Sequence, residues 1–365
     1  MIIRKEERNG KDKDIKSIEQ IKAEAEPDIE IQSLRRQADG LKGEVKKMQA
    51  DYGDLKGYFH DLDNMSRHLQ IPPVQILYNP VSEKRKVKSP CTAVLQWCDW
   101  HYGAIQEAQE LEFMEGSFSP EILEDRITQL SSDFMKWVEV LRSGYNIEEL
   151  AIIDVGDNIS GDIHDELKIT NAFPTPVQAF KCGVFKGAAI CSLAQYFKKV
   201  TVHFLVPDNH SRLTKIPQAK QSGFNSHNYT VGHVTDLVCK EQPNVDFNIY
   251  YSYTKAVSVS TRMYLLTHGH GIKGWSGFPY YGAERFVSRE ALVRLHEPEY
   301  NRFHKCLMGH FHAPLWHPWF WIGGSGSGTD SYDRQAGRRS KPIQTAWIVH
   351  PKKGEFNMTE FELKK

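Results

Sequence analysis

The stretch 92-TAVLQWCDWH-101 joins a short apolar run to two side chains of types that commonly bind metal ions. Residues 92–97 are apolar or β-branched except for Gln96, and this composition predicts a buried β-strand. Asp99 and His101 follow within the next four positions, in the predicted loop. Because ligands of layered α/β sheets gather at the carboxyl ends of strands, the stretch predicts both a strand and a functional site at its end.

The same arrangement recurs four more times along the chain. Strands are predicted over 150–155, 200–206, 263–267 and 305–308, and the loops after them carry Asp157, then Asn209 and His210, then His268 and His270, then His310 and His312. A further strand is predicted over 345–349, and helices are predicted over 120–143, 176–197 and 289–295. Short apolar runs that alternate with longer amphipathic stretches predict an α/β (α+β) layered body.

The residue types in these loops indicate divalent metal ions. Carboxylate, amide oxygen and imidazole together suit manganese, iron, zinc or nickel, and we take manganese as the first candidate. Two cations about 3.5–4 Å apart need a bridging ligand and several terminal ones, and such a pair clamps a phosphate while it activates a water molecule. Asp157 is the natural bridge. The sequence therefore predicts two divalent ions and an anionic phosphate-ester substrate.

The composition is that of an ordinary soluble globular protein. The chain has 365 residues, 46 Lys plus Arg, 46 Asp plus Glu and 40% hydrophobic residues. The zero net charge gives no argument for a basic nucleic-acid or membrane binder. The six cysteines lie far apart, which suggests neither a disulfide framework nor a zinc finger. We find no apolar run near the roughly 18 residues of a membrane span, so we expect a cytoplasmic protein with no membrane partner.

Apolar residues recur every seventh position over 31–69, in two interleaved series. One series is Leu34, Leu41, Met48, Leu55, Leu62 and Leu69, and the other is Ile31, Ala38, Val45, Tyr52 and Phe59. This a/d pattern predicts a left-handed coiled coil with another copy of the chain, hence a homo-oligomer. The alternative is a single amphipathic helix that folds back on the body. We divide the chain into a charged lead-in (1–30), a coiled-coil helix (31–70), a linker (71–90) and the body (91–365).

Taken in order, the metal-ligand loops resemble the five motifs of the calcineurin-like metallophosphoesterases. The matching residues are Asp99-Trp100-His101, Gly156-Asp157, Asn209-His210, His268-Gly269-His270 and Gly309-His310-Phe311-His312, and Gly324-Ser325 stands where that superfamily often has the same pair. The resemblance covers about residues 92–325. One departure is Pro207-Asp208, since a glycine usually precedes the Asn-His pair. Residues 209–217, with Glu166-Leu167 and Thr170-Asn171, further resemble a phage- and prophage-borne branch of the superfamily.

The resemblance implies a fold, a reaction and a role for each matching residue. The fold would be a two-sheet β-sandwich flanked by helices. Asp99, His101, Asp157 and His312 would hold the first metal, and Asp157, Asn209, His268 and His310 the second. His210 would protonate the leaving oxygen or stabilise phosphate charge. The reaction would be in-line attack on phosphorus by a hydroxide that bridges the metals.

The substrate is less determined than the reaction. We expect a phosphodiesterase that acts on nucleic acid, DNA or RNA, or on nucleotides; the alternatives are a phosphomonoesterase and a non-catalytic oligomeric scaffold. Arg212, two residues after His210, would bind a phosphate in a bidentate manner or form a surface salt bridge. The basic cluster Arg334, Arg338, Arg339 and Lys341 would follow a nucleic-acid backbone or simply face solvent. For His270, direct ligation and orientation of another ligand both stay open.

Two further stretches lie near the last motif. The aromatic run 316–321 would offer stacking surfaces for bases or belong to the core, and burial preferences favour the core. The glycine-rich residues 323–328 lack the Lys of a phosphate-binding loop, so we expect a flexible loop at the rim of the site.

Overall fold

The computed structural model describes residues 34–47, 49, 56–57, 60, 64, 88–110, 117–273, 279–297, 301–335, 337 and 339–364. The chain divides into two compact units, Met1–Leu69 and Gln70–Lys365. In the first unit, residues 34–47 form a helix, α1, whose side chains are all exposed. Its apolar positions Leu34, Leu41 and Val45 are 56%, 61% and 46% exposed. The coiled coil stays a prediction, and most of its remaining positions lie outside the described residues: Ile31, Met48, Tyr52, Leu55, Phe59, Leu62 and Leu69.

The second unit contains eleven strands and six helices among its described residues. The strands are β1 (Pro90–Trp97), β2 (Asn146–Asp154), β3 (Lys199–Leu205), β4 (Val245–Tyr250), β5 (Lys255–Val259), β6 (Arg262–Leu266), β7 (Lys305–Met308), β8 (Leu315–Trp316), β9 (Phe320–Ile322), β10 (Ile343–His350) and β11 (Gly354–Glu362). The helices are α2 (Pro120–Arg142), α3 (Leu167–Thr170), α4 (Thr175–Ala194), α5 (His227–Cys239), α6 (Tyr280–His296) and α7 (Ser331–Gln335), with a 3-10 turn at Ala108–Glu110.

The strands form two mixed sheets. The six-stranded sheet has the order β11-β10-β1-β2-β3-β4, in which β1 to β4 are parallel and β10 and β11 are antiparallel. The five-stranded sheet has the order β5-β6-β7-β9-β8, in which β6, β7 and β9 are parallel. All six predicted strands are confirmed. The parallel runs bring the loops after β1, β2, β3, β6 and β7 to the carboxyl edges of the sheets, where ligands gather.

The two sheets face each other across an apolar layer. Val94, Ile153 and Leu205 come from the first sheet and pack with Tyr264 and Leu307 from the second. A second cluster joins the other face of the six-stranded sheet to α2, α4 and α5, and a third joins the five-stranded sheet to α6. The fold is therefore a two-sheet sandwich flanked by helices. Burial of these apolar faces is the main favourable contribution to its stability.

The observed bounds of the helices agree with the predicted bounds for α2 and α4 but not for α6. α2 begins one residue after Ser119, whose Oγ accepts a hydrogen bond from Ile122 N, and Pro120 stands in the first turn, as is typical of helix starts. The predicted bounds of α2 and α4 are confirmed to within three residues. α6 begins at Tyr280, well before the predicted residue 289, because the helix as a whole is only weakly amphipathic and buries few side chains.

The helix α4 corrects one expectation from the sequence. It is long and apolar enough, by length and composition, to cross a membrane, where we had expected no such segment. In the structure 72% of that window is buried inside the domain, against α5 among other elements. A Cβ added to Gly183 or Gly187 would lie 2.8 or 2.5 Å from the Cβ of Val234 or Val238, so these glycines allow the close approach of the two helices.

Candidate metal centre

Five of the predicted metal ligands adopt a left-handed backbone conformation. The φ angles are 52° at Asp99, 46° at His101, 48° at Asp157, 70° at His310 and 61° at His312. Among the described residues only three other non-glycine residues have positive φ. Such residues cost about 1–3 kcal/mol each and persist where the surroundings enforce them, often at functional sites. The strain is therefore concentrated where the sequence places the ligands.

Hydrogen bonds between the loops maintain these conformations. Asp99 N donates to Gly156 O, and His101 N donates to Asp157 O, each at 3.0 Å. His310 N lies 2.9 Å from Oδ1 of Asp99, which connects the last motif to the first. A Cβ at the neighbouring Gly309 would stand 2.4 Å from Asp99 Oδ2, so the close approach requires glycine at this position.

The first group of ligand atoms comes from Asp99, His101 and His312, all buried and within 4.8 Å of one another. The Nε2 atoms of His101 and His312 are 3.0 Å apart, and His312 Nε2 is 3.7 Å from Asp99 Oδ1. Burial and the neighbouring His210 and His312 lower the pKa of His101 well below its usual value. A neutral His101 offers a lone pair, so the group fits a divalent cation.

The second group consists of Asp157, His268 and His310, also within 4.8 Å. His268 Nε2 lies 2.9 Å from Asn209 Oδ1 and 3.0 Å from Asp157 Oδ2. Its Nδ1 is 2.8 Å from the carbonyl of Val155, which aims Nε2 at the two oxygens. Burial lowers the pKa of His268, but the negative charge of Asp157 outweighs this and raises it to about 10. Negative charge that attracts a proton so strongly also favours a cation.

Asp157 connects the two groups. Its ligand atom lies within 4.8 Å of those of His268 and His310 on one side and of His101 and His210 on the other. Asp157 Oδ1 accepts a hydrogen bond from His210 N at 3.0 Å. Asp157 Oδ2 is buried and has no hydrogen-bond partner, and the nearest ring nitrogen is His268 Nε2, 3.0 Å away. Buried carboxylate oxygens are normally paired, so this atom fits the bridging position of a two-metal site.

His210 lies beside the first group. Its ring centroid is 4.6 Å from that of His101, and its Nδ1 is 2.7 Å from the carbonyl oxygen of Ser160. Because a carbonyl accepts only, Nδ1 carries the hydrogen, and Nε2 is the atom available for proton exchange with a substrate.

The structure adds Asp333 to the site. Its Oδ2 lies 2.5 Å from Nδ1 of His312, and it belongs to the short helix α7. Burial lowers the pKa of His312, but the charge and hydrogen bond of Asp333 raise it to about 9. Carboxylates of this kind orient metal-binding histidines. The sequence analysis missed Asp333 because it follows no strand and belongs to no recognised motif.

Asp208 stands where the calcineurin-like motif usually has glycine. Its carboxylate stabilises the loop that carries Asn209 and His210 by accepting hydrogen bonds. Its Oδ2 accepts hydrogen bonds from Asp157 N at 2.9 Å and Ser211 Oγ at 3.0 Å, and its Oδ1 accepts one from Ser211 N at 2.9 Å. Burial and the charge of Asp157 raise the pKa of Asp208 to about 7. A Cβ at Gly156, whose φ is 100°, would lie 2.8 Å from Asp208 Cβ, so the packing requires glycine there.

Other predicted site residues have less direct positions. The guanidinium of Arg212 donates to the carbonyls of Asn209, Thr214 and Lys215, so it stabilises its own loop, whereas the sequence had left open a phosphate contact or a surface salt bridge. Its role in substrate binding stays a prediction. His270 belongs to neither ligand group; its Nδ1 is buried without a hydrogen-bond partner, and burial lowers its pKa to about 4.

The basic cluster is only partly described. Lys341 is 2.8 Å from Glu362 in an ion pair, which reduces its free positive charge. Arg334 belongs to α7, and Arg338 lies outside the described residues. Its proposed role toward nucleic acid stays a prediction.

The glycine-rich stretch corrects a prediction. Residues 323–326 are buried rather than part of a flexible rim. Gly326 N donates to Asp99 O at 2.7 Å, and Gly326 O accepts from Arg126 at 2.9 Å. A Cβ at Gly323 would lie 2.4 Å from Cys98 Sγ. The stretch therefore supports the first metal loop from behind. Part of the aromatic run belongs to the core as expected: Phe320 and Trp321 are buried and Trp316 packs against the core, whereas Trp319 is 54% exposed.

Comparisons with known proteins add little to this geometry. Neither a protein-family model nor a curated protein matches the sequence. Among solved structures, a predicted phosphoesterase from Streptococcus pneumoniae is 11% identical, with a TM-score of 0.27 over 76% of this chain and 99% of that one. Vacuolar Protein Sorting 29 from Cryptosporidium parvum is 12% identical (TM-score 0.31; 74% and 98% covered), and a phosphoesterase from E. coli is 13% identical (0.29; 74% and 100%). Likenesses at these TM-scores carry no argument, so the case for function rests on the side chains.

Proposed function

We propose that the protein is a dinuclear metal-dependent phosphoesterase of the calcineurin-like type. The observation that carries this proposal is the buried Asp157 carboxylate, which connects two groups of ligand atoms and leaves Oδ2 without a hydrogen bond. Asp99, His101, Asp157 and His312 would hold one ion; Asp157, Asn209, His268 and His310 would hold the other. When bound, two such ions supply Lewis acidity toward the phosphate and lower the pKa of the attacking water.

The residues of the chain then have distinct tasks. His210, fixed through Nδ1 by the Ser160 carbonyl, would donate a proton from Nε2 to the leaving oxygen. Asp157 also holds the His210 backbone through Oδ1, so the proton donor and the ligand groups keep a fixed relation. Preorganised placement of this kind is a principal source of catalysis in phosphoryl transfer.

The substrate proposed here is a phosphodiester in nucleic acid or a nucleotide. The test is manganese-dependent hydrolysis of bis(p-nitrophenyl) phosphate beside p-nitrophenyl phosphate, with His210→Ala as the background control. A diester preference that His210→Ala loses would support the proposal. A monoester preference would indicate a phosphatase, and no metal-dependent turnover of either ester would favour the scaffold alternative.

Three further proposals come from the sequence. The heptads over 31–69 would join copies of the chain in a coiled-coil oligomer. Residues 209–217 support placement in the phage- and prophage-borne branch. The cysteine pattern supports a cytoplasmic location.

A further inference from the structure

The loop that carries Asn209 and His210 folds back, so that its first residues pair with the residues just before α5. Arg212 forms an antiparallel bridge with Ser226, and His227 N donates to Ser211 O at 2.7 Å. His210 and Phe224 each lie two residues from this bridge. At about 3.3 Å per residue and 5 Å across the pair, their Cα atoms are at most about 18 Å apart. Because the bridge is antiparallel, the two residues lie on opposite sides of it, so Phe224 stands outside the ligand groups but within about 18 Å of His210.

Phe224 belongs to a cluster of rings that we call the aromatic platform: Phe224, Tyr229, His233 and Tyr251. The Phe224 and Tyr251 rings stack with centroids 4.8 Å apart and planes 16° apart. Tyr229 lies 5.7 Å from Tyr251 and 4.3 Å from His233. Tyr251 Oη and His233 Nε2 are 3.0 Å apart, and this contact connects the residue that follows β4 to α5.

The backbone holds the platform in place. A Cβ on Gly223 would lie 2.2 Å from the carbonyl oxygen of Tyr251, so the approach of the loop to Tyr251 requires glycine next to Phe224. The backbone next to the Phe224 ring is therefore closely packed, which fixes the position of the ring.

The outer face of the platform is open to water. Phe224 is 58% exposed and Tyr229 is 37% exposed, although Tyr251 covers one face of Phe224. Aromatic rings prefer burial, and a parallel stack with one open face can be extended by another flat ring. Nucleobases are such rings, and stacking on aromatic side chains is the sequence-tolerant way in which proteins hold single strands.

The charge of the same loop favours a polyanion. Residues 211–226 contain Arg212, Lys215 and Lys220 and no Asp or Glu, in a protein of zero net charge. Lys215 pairs with Asp165 at 2.5 Å, but both side chains are mostly exposed, so a phosphate could compete for the lysine. A strand that rises about 3.4 Å or more per nucleotide covers the distance from His210 to Phe224 within about five nucleotides.

We propose that the aromatic platform stacks bases of a single-stranded nucleic acid whose phosphodiester occupies the candidate metal centre. This inference rests on the proposed function and narrows its substrate class to a single-stranded polymer, with Phe224 as the principal stacking residue.

The test measures affinity for a short fluorescein-labelled single-stranded phosphorothioate oligonucleotide by anisotropy, with manganese present so that the metal centre is occupied and with the sulfur substitution to slow cleavage. Phe224→Ala should weaken binding about fivefold to a hundredfold, the range for the loss of one base stack. Phe224→Trp keeps a ring and should bind within about twofold of the natural protein. Met358→Ala on β11, at the other edge of the six-stranded sheet from β4 and 47% exposed, should leave binding unchanged.

Activity provides the second readout. With manganese present, Phe224→Ala should lower the ratio of kcat/KM for the oligonucleotide to that for bis(p-nitrophenyl) phosphate by a similar factor. Equal losses against both substrates, or a loss that Phe224→Trp does not rescue, would mean that Phe224 only supports the loop, and the inference would be wrong. Unchanged oligonucleotide affinity in both Phe224→Ala and Tyr229→Ala would overturn it too, and would leave a protein partner as the occupant of this face.

The two proposals fail in different ways. Platform-dependent oligonucleotide binding without any metal-dependent cleavage would refute the phosphodiesterase and retain the platform. Metal-dependent cleavage of the oligonucleotide that does not depend on Phe224 would retain the phosphodiesterase and refute the aromatic platform.

Discussion

At the scale of single residues, Asp157 has the most consequential position. It is buried, has a left-handed backbone and connects the two groups of ligand atoms. Replacing it with Asn keeps its volume but removes the charge that a bridging ligand needs. We expect Asp157→Asn to lower kcat/KM for manganese-dependent diester hydrolysis by more than about 100-fold, since even residues outside the ligand shell contribute up to about that much. Full activity in a folded Asp157→Asn protein would refute the dinuclear centre.

Asp333 tests whether orientation of a ligand matters here. Its hydrogen bond to Nδ1 of His312 directs Nε2 toward Asp99 and His101. We expect Asp333→Asn to weaken manganese binding about 10–100-fold, as measured by titration calorimetry. The control is Asp133→Asn on α2, a partly exposed carboxylate outside the candidate site that pairs with Lys136 and accepts a hydrogen bond from Gln129. Equal affinities in the two variants would remove Asp333 from the site.

The residue scale also shows what could be predicted from sequence. The seven predicted ligands come together because each one directly follows a strand, and strand ends can be recognised from local patterns. Asp333 and Ser160 act through contacts that only the folded chain creates, so no local pattern could identify them; the sequence marks Asp208 as a departure from the motif but does not predict its hydrogen bonds. The engagement of Arg212 with its own loop carbonyls is likewise a tertiary feature.

At the scale of elements, a buried ion pair joins α4 to the last residue of β2. Lys186 Nζ lies 2.6 Å from Asp154 Oδ2 and 3.4 Å from the ring centroid of Trp100. Asp154 Oδ1 accepts hydrogen bonds from Gly156 N and Asn158 Nδ2, so the pair also fixes the turn before Asp157.

Removing one partner of this pair should be strongly destabilising. Lys186→Met leaves the Asp154 carboxylate buried without its counter-ion, which costs about 3–5 kcal/mol in comparable cases. Urea denaturation measures this loss in the free energy of unfolding. The double variant Lys186→Met with Asp154→Asn should recover part of the stability, because it removes the uncompensated charge. A single variant as stable as the natural protein would show that the pair contributes nothing.

The elements themselves were unevenly predictable. Buried strands such as β1 and β7 have continuous apolar runs, and β7 has the predicted bounds of 305–308. β8 and β9 contain two and three residues, too few for a periodic signal, and the edge strands β4 and β11 contain few fully buried residues. Their pairing depends on the neighbouring strands rather than on their own sequence.

At the scale of the whole molecule, the heptads predict an assembly. Leu34, Leu41 and Val45 are exposed on α1 in the single chain, and a partner helix would bury them. Light scattering should give a multiple of the 41.9 kDa chain mass, and Leu41→Glu should lower it. The control is Glu44→Asp, a conservative change at an exposed position of the same helix. A natural protein of 41.9 kDa would contradict the coiled coil.

The number of manganese ions bound per chain tests the central claim most directly, because it does not depend on the choice of substrate. The ligand groups around Asp157 predict two ions in the natural protein and fewer in Asp157→Asn, measured by elemental analysis after removal of free metal. A natural protein that retains no metal, or an Asp157→Asn variant that retains two ions as tightly as the natural protein, would contradict the proposed centre.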